Sequence, residues 1–265
     1  MPVTIKAHIA YRFYAPTDFL LQMEAAAIPE QILSGPGLTS TQSEHFARIA
    51  GQDTIGERIW LRVNGDFTAD YTITAEVQRT LADISTLGAL QPHKLPGETV
   101  HYLFDSRFCP GDRFHSFVEA EFGDAKGGAR IAAIRDWVAG NFTYEPGSSV
   151  ATTTALDSFV ERRGVCRDYA HVVVTMARAS GIPARYVSCY APGVDPQDFH
   201  AVAEVFLADS DAPDGTGSWH IIDATDMADP AKTVKIGVGR DAAEVSFLTS
   251  YGFAEMLDKQ IEVIG

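Results

Sequence analysis

Apolar and polar residues alternate along much of the first part of the chain. The alternation is clearest in GERIWLRVNGDFTADYTITAEVQ, residues 56–78, where it continues on both sides of Asn64-Gly65. A period of two predicts half-buried strands, and Asn-Gly tolerates the positive φ angles of a tight turn. We therefore predict a β-rich N-terminal region with a hairpin that turns at Asn64-Gly65.

A different pattern follows QPHKLPGETV, residues 91–100, whose Pro and Gly residues are typical of a linker. In GGARIAAIRDWVAGNF, residues 127–142, apolar residues recur at helical spacing, which predicts an amphipathic helix ending near Gly140-Asn141. We place a domain boundary in the linker. It separates a β-rich N-terminal domain, residues 1–95, from a second domain, residues 96–265.

Helical spacing of apolar residues is strongest in CRDYAHVVVTMARASGIPA, which follows a shorter predicted helix over residues 155–163. Gly181 suits the left-handed residue that commonly ends a helix, and Pro183 lies just beyond it. The pattern predicts a buried helix that begins at Cys166.

Strand-like runs follow this helix, and the last two of them, residues 200–207 and 218–223, flank a polar loop. A short polar connection favours antiparallel pairing. The first residue of one strand then lies opposite the last residue of the next. We therefore predict that His200 lies opposite Asp223, with a connecting loop over residues 208–215.

Composition narrows the class of protein. The chain has 265 residues, of which 46% are hydrophobic and 21% charged, as in ordinary globular proteins. The net charge of -14 argues against a nucleic acid as partner. No apolar run approaches the roughly 20 residues of a membrane helix, and the amino terminus lacks the pattern of a signal peptide. We expect a cytoplasmic protein that does not bind membranes.

The three cysteines, Cys109, Cys166 and Cys189, form an odd set without CxxC spacing, which favours at least one free thiol and no zinc ribbon. Cys166 is distinctive because the unpaired N–H groups and the dipole at a helix start stabilise a thiolate. Arg167 adds positive potential nearby, whereas Asp168 opposes it. We expect no catalytic role for Cys109 or Cys189.

We predict that Cys166 is a nucleophile, that His200 is its base and that Asp223 orients the imidazole. His171 lies five residues along the helix from Cys166 and therefore faces elsewhere. His220 points to the opposite face of its strand from Asp223. The histidines lack the spacing of metal ligands, so we predict no metal site.

The stretches RRGVCRDYAHVVVTMARASGIPARYVSCYAPG, DFHAVAEVFL and WHIIDATD together resemble the catalytic core of the bacterial transglutaminase-like superfamily. In that family the positions matching Cys166, His200 and Asp223 form a papain-like triad. The resemblance implies an α+β fold, with a helix start packed on an antiparallel sheet and a β-rich, sandwich-like N-terminal domain before it. The second domain, residues 96–265, would then be the transglutaminase-like catalytic domain.

The resemblance also implies a thioester intermediate on Cys166, formed from a protein or peptide substrate. We expect no cofactor. Two positions depart from the family pattern. Ala201 stands where Trp commonly follows the His, and Ala224 stands where Pro often follows the Asp. The first departure predicts a wider or differently lined acyl pocket.

Several alternatives stay open. The thioester could be resolved by water, as in a cysteine protease or amidase, or by an amine, as in an acyltransferase; we favour hydrolysis slightly. A noncatalytic module that binds peptides or proteins on the same fold is the rival, and self-association of the chain is left open.

The first oxyanion donor is predicted to be the Cys166 N–H, with Tyr144, Tyr169 and Asn141 as candidates for the second. The acidic segment ADSDAPD suits a solvated turn better than a calcium loop.

Overall fold

The computed structural model of the chain describes residues 2–209 and 216–265, and it confirms the predicted α+β class. The strands are β1 (Pro2–Leu21), β2 (Gln31–Ser40), β3 (His45–Ala50), β4 (Glu57–Val77), β5 (Thr143–Tyr144), β6 (Arg163–Gly164), β7 (Ala184–Tyr190), β8 (His200–Ala208), β9 (Gly217–Ile222), β10 (Val234–Gly239), β11 (Leu248–Ser250) and β12 (Glu255–Ile264). The α-helices are α1 (His115–Phe122), α2 (Gly127–Asn141), α3 (Ala155–Glu161) and α4 (Cys166–Ala179).

Two long strands, β1 and β4, form the centre of a six-stranded sheet. β2 and β3 pair with β4, whereas β11 and β12 pair with β1. Alternate residues of the central strands are buried and form one core, in which the ring of Phe19 contacts those of Phe13 and Phe67. The alternation in the sequence therefore marks the inner face of this sheet.

The predicted hairpin at Asn64-Gly65 is wrong, because β4 continues through both residues. Gly65 has a φ of +90° and lies opposite Phe13. The register of β1 shifts there, and its pairing with β4 resumes at Thr17. A glycine inside a strand often marks such a bulge. The positive φ of Gly65 accommodates an irregularity in the neighbouring strand instead of a chain reversal.

The last strands of the chain return to the first sheet. β12 pairs antiparallel with β1, from Thr4 opposite Ile264 to Arg12 opposite Glu255. Because β11 also pairs with β1, residues 248–264 belong to the first sheet and not to a unit formed by residues 96–265. The predicted boundary missed this return, since partners so far apart in sequence leave no local signal.

The second sheet has the strand order β10-β7-β8-β9 and supports helix α4. α4 begins at Cys166, as predicted, and Gly181 beyond it has a φ of +72°. The helix is buried along most of its length, and Val172 and Met176 share a core with Ala203 and Val205 of β8. This packing holds α4 against the sheet.

β8 and β9 pair antiparallel, as predicted, but their register differs from the prediction by two residues. Ala203 lies opposite Ile222, so Asp223 follows the last paired residue of β9 and does not lie opposite His200. Most of the predicted loop over residues 208–215 lies outside the described residues. Sequence length alone did not show how many loop residues would join the strands.

Candidate active site

Cys166 is the first residue of α4, and a buried carboxylate holds the turn before it. The Oδ2 atom of Asp168 accepts a hydrogen bond of 2.8 Å from the N–H of Val165, which caps the helix start. A Cβ atom at Gly164 would lie 2.5 Å from the Cβ of Asp168, so only glycine fits there. Asp168 also contacts the Arg167 guanidinium at 3.3 Å, which partly offsets its negative charge beside the thiol.

His200 begins β8 and is 2% exposed. Its Nε2 atom lies 3.0 Å from Oδ2 of Asp223, and Cys166 is a neighbour that acts on the charge of the ring. Its buried Nδ1 atom has no direct hydrogen-bond partner among the described residues. Burial disfavours the imidazolium, but the contacts with Asp223 and Cys166 outweigh burial and raise the pKa of His200 to about 9. The structure thus brings the three predicted side chains together.

The Asp223 carboxylate is surrounded by donors from the segment that follows β9. Oδ1 accepts hydrogen bonds of 2.8 Å from both the N–H and the hydroxyl of Thr225. Oδ2 accepts bonds from the N–H groups of Met227 at 3.2 Å and Ala228 at 2.8 Å. Burial alone would raise the pKa of Asp223, but the bonds from His200 and Thr225 lower it below its usual value. The base therefore faces an ionised acid.

Thr225 was not among the predicted site residues. A signal was present, because Asp followed two residues later by a donor is the pattern of an Asx turn, in which the carboxylate binds the backbone ahead of it. The triad pattern drew attention to Asp223 alone.

The three candidates for the second oxyanion donor lie at different positions relative to Cys166 in the structure. Burial and the neighbouring Cys166 raise the pKa of the Tyr144 phenol to about 12, which places this phenol beside the nucleophile. The Asn141 amide instead donates to the carbonyl of Trp137 at 2.8 Å, on an exposed surface. The ring of Tyr169 lies 6.0 Å from that of Tyr144 and packs against Phe142. Of the three candidates, Tyr144 is the one that reaches the nucleophile.

The remaining cysteines and His171 are buried inside the protein. Cys109 and Cys189 are fully buried, and burial raises the pKa of both thiols, to about 12 for Cys109. His171 accepts a hydrogen bond of 3.1 Å from the N–H of Ala242, and burial lowers its pKa to about 3. It is a neutral core histidine. His220 lies 3.0 Å from the hydroxyl of Ser218.

Ala201 is buried next to His200. It is buried in a small apolar cluster, against which the Cys166 side chain also packs. The other members of this cluster are Phe108, Ala170, Tyr186, Ala242 and Val245. Phe108 is fixed there by its N–H, which donates to Asp241 at 2.9 Å. These neighbours line the position of Ala201, and the predicted width of the acyl pocket stays a prediction.

Within residues 2–209 and 216–265, no group of three or more His, Cys, Asp or Glu side chains is arranged to hold a metal ion. The acidic segment weighed as a calcium loop lies mostly outside these ranges. In the same part of the chain, no helix has the length and apolar character needed to cross a membrane.

Comparison with known proteins agrees with this geometry. The sequence model of the transglutaminase-like superfamily matches residues 117–224, which include Cys166, His200 and Asp223. The crystal structure named "Putative Cysteine Protease from Cytophaga hutchinsonii" is 30% identical, with a TM-score of 0.91 over 100% of this chain and 90% of that one. This chain belongs to the transglutaminase-like superfamily.

Curated relatives cover a smaller part of the chain. ML0607 of Mycobacterium leprae is 35% identical over 121 residues, which are 44% of this chain and 42% of that protein. Rv2569c of Mycobacterium tuberculosis is 31% identical over 133 residues, which are 46% of this chain and 41% of that protein. Both are named as uncharacterized proteins. The match therefore spans about two fifths of the length of these relatives.

Proposed function

We propose that this protein is a cysteine-dependent hydrolase of amide bonds in proteins or peptides. In this proposal Cys166 is the nucleophile, His200 exchanges its proton, and Asp223 orients the imidazole. One observation carries the proposal: the Nε2 atom of His200 lies 3.0 Å from the ionised Asp223 carboxylate, and Cys166 is close enough to the ring to help raise its pKa. A noncatalytic peptide-binding module would need neither contact.

The reaction follows from this arrangement. In the proposed reaction the thiol proton of Cys166 passes to the His200 imidazole, whose pKa is raised to about 9, and the sulfur reacts as a thiolate. The thiolate attacks the substrate carbonyl, and the Cys166 N–H stabilises the oxyanion that forms. His200 then gives its proton to the leaving amine, which leaves a thioester on Cys166. Water attacks the thioester and returns a proton through His200, which releases the acid and restores the ion pair.

Hydrolysis is favoured over transfer to an amine by the relative from Cytophaga hutchinsonii, whose name describes a protease. A thioester accepts either nucleophile, so amine transfer is the alternative outcome. The two are separated by incubating the protein with a glutamine-bearing protein and a fluorescent amine. Release of ammonia or peptides without incorporation supports hydrolysis, whereas incorporation of the amine shows transfer.

The thiolate is tested directly by alkylation with iodoacetamide near neutral pH. We expect one thiol to react much faster than a free cysteine, and this fast phase should disappear in Cys166→Ala. The matched controls are Cys109→Ala and Cys189→Ala, which remove buried thiols and should retain the fast phase. A fast phase that persists in Cys166→Ala would rule out the proposed nucleophile.

A further inference from the structure

A cavity of about 1000 Å³ lies between loops of the first sheet and one face of the second sheet. Residues from both sides line it, among them Glu30, Asp53, Arg185, Trp219 and Lys235. Val205 of β8 packs towards α4, so the neighbouring Glu204 projects from the opposite face of the strand, on the side of the cavity. The second sheet therefore separates this cavity from Cys166 at the start of α4.

The wall of the cavity contains a network of buried ion pairs. Nε of Arg185 donates to Glu204 at 2.7 Å, and its Nη1 atom donates to Asp53 at 3.2 Å. The Lys235 ammonium contacts both Glu204 and Glu30. The side chains of Arg185 and Lys235 are 5% and 3% exposed. Because apolar side chains of similar volume often stabilise a fold as well as a buried ion pair does, stability alone does not explain this network.

The positive and negative charges of the network are equal in number. The three cations pair with three carboxylates, and the members are Arg79, Arg185, Lys235, Glu30, Asp53 and Glu204. A ligand with a net charge would add an uncompensated charge to this buried network, which is costly. A ligand that carries one charge of each sign can exchange partners with an existing pair and leave the balance intact.

Aromatic rings form another part of the wall. The Trp219 ring lies beside that of Phe206, with 5.3 Å between their centroids. The Arg185 guanidinium lies over the Trp219 ring, 4.0 Å from its centroid. A cavity of this size with apolar walls and a few polar groups is typical of a small-molecule site. The rings favour a ligand with a flat apolar group.

Asp53 is held at the cavity by a strained loop. Asp53 and Thr54 have φ angles of +55° and +58°, in the left-handed region that residues other than glycine seldom adopt. A Cβ atom at Gly56 would lie 2.0 Å from the carbonyl oxygen of Ile236, so the loop lies directly against β10. The Tyr102 hydroxyl also donates to Asp53 at 2.7 Å. Strained backbone of this kind is concentrated at functional sites, including ligand clamps.

We propose that this cavity binds a free aromatic amino acid as a zwitterion. The ligand carboxylate contacts Arg185 and Lys235. Its ammonium group contacts Asp53 and Glu30, and its ring packs against Trp219. The inference does not rest on the proposed function, because none of these residues takes part in the thiol reaction.

The test measures binding to the whole protein by isothermal titration calorimetry with four related probes. Phenylalanine carries both charges, N-acetylphenylalanine carries the carboxylate, phenylalaninamide carries the ammonium group, and N-acetylphenylalaninamide carries neither. We expect phenylalanine to bind about tenfold or more tighter than each of the other probes, since each lacks at least one charge-assisted hydrogen bond. No binding of phenylalanine, or equal or tighter binding of any other probe, would overturn the proposal.

The ammonium contact is tested by Asp53→Asn. This variant should bind phenylalanine about tenfold or more weakly and should bind N-acetylphenylalanine as the wild type does, because that probe has no ammonium group. The matched control is Asp66→Asn, which alters an exposed pair with Arg12 and should leave both affinities unchanged. Unchanged binding of phenylalanine in Asp53→Asn would contradict the site.

Trp219→Phe locates the ligand without removing the aromatic wall. Phenylalanine should still bind to this variant. The change in tryptophan emission that it causes in the wild type should be lost, because Trp60 and Trp137 do not line the cavity. A ligand-induced change in emission that persists in Trp219→Phe would place the ligand elsewhere and overturn the inference.

Discussion

The Nε2 atom of His200 lies 3.0 Å from the Oδ2 atom of Asp223, although the two residues do not face each other in the sheet. Asp223 stands just beyond the end of β9, where the following turn binds its carboxylate. The contact between base and acid therefore depends on this turn more than on strand pairing.

Thr225 tests the importance of the turn. Its hydroxyl donates to Asp223, and a hydrogen bond to a charged group contributes about 1.5–3 kcal/mol, or roughly tenfold or more in an equilibrium. In Thr225→Val we expect the pKa of Asp223 to rise. The decrease in the alkylation rate of Cys166 at acid pH should therefore begin at a higher pH. Thr225→Ser keeps the hydroxyl and should retain the wild-type profile. An unchanged profile in Thr225→Val would contradict this role.

The pKa of His200 should determine the pH above which hydrolysis declines. Its imidazolium must give a proton to the leaving amine, so amide hydrolysis should decline as pH rises through about 9. The profile of kcat/KM against pH measures this limit. A decline centred near 6.5, the ordinary pKa of histidine, would show that the contacts with Asp223 and Cys166 do not stabilise the imidazolium.

The same residue should link stability to pH. Between about pH 6.5 and 9 the folded protein keeps a proton on His200 that the unfolded chain has released. The contribution of His200 is thus complete below 6.5 and is lost as pH rises through 9. Urea unfolding of the wild type and of His200→Gln should show a difference in free energy that shrinks across this window. A difference that grows with pH would contradict the raised pKa of His200 in the folded protein.

Gly164 lies just before the start of α4, and Gly140 in α2 provides a matched control. A methyl group at Gly164 would meet the Asp168 side chain, and such overpacking costs about 1–3 kcal/mol. We expect Gly164→Ala to lower the free energy of unfolding and to slow alkylation of Cys166. Gly140 in α2 has open space around it, so Gly140→Ala should stabilise by about 0.5–1 kcal/mol. Equal effects in the two variants would contradict the clash.

Glu204 lies between two buried cations of the second sheet. Its carboxylate binds Arg185 and Lys235, and these charges outweigh burial and lower the pKa of Glu204 to about 2. Removing one partner of a buried pair costs about 3–5 kcal/mol, so Glu204→Gln should be strongly destabilised in urea. The control is Glu262→Gln, whose exposed pair with Lys6 should contribute about 0–1 kcal/mol. Similar losses of unfolding free energy in the two variants would show that burial does not strengthen the ion pairs of Glu204.

Local patterns predicted most of the elements near the site. The period of the apolar residues located α4, and the strand-like runs located β8 and β9. The register between those strands was wrong by two residues, yet His200 and Asp223 still meet, because the turn after β9 redirects the acid. A register depends on how a loop closes, which composition does not specify.

Other features depend on contacts between distant parts of the chain. The Asn64-Gly65 signal is real as a preference for positive φ, but the neighbouring strand decides whether it becomes a turn or a bulge. The pairing that fixes Tyr144 involves two-residue strands, which are too short to leave a periodic signal. The sequence therefore suggests Tyr144 as a candidate without distinguishing it from Tyr169 and Asn141.

The pairing of β12 with β1 has a consequence for how the protein comes apart. The helices and the second sheet lie in the chain between β4 and β11, and both of these strands pair with β1, which also pairs with β12. A fragment that begins at residue 96 would retain β12 but lack the strand on which it pairs, and would expose apolar side chains such as Ile261 and Val263 to water. Deletion of β1 should therefore slow the reaction of the Cys166 thiol. On heating, both sheets should unfold in a single transition.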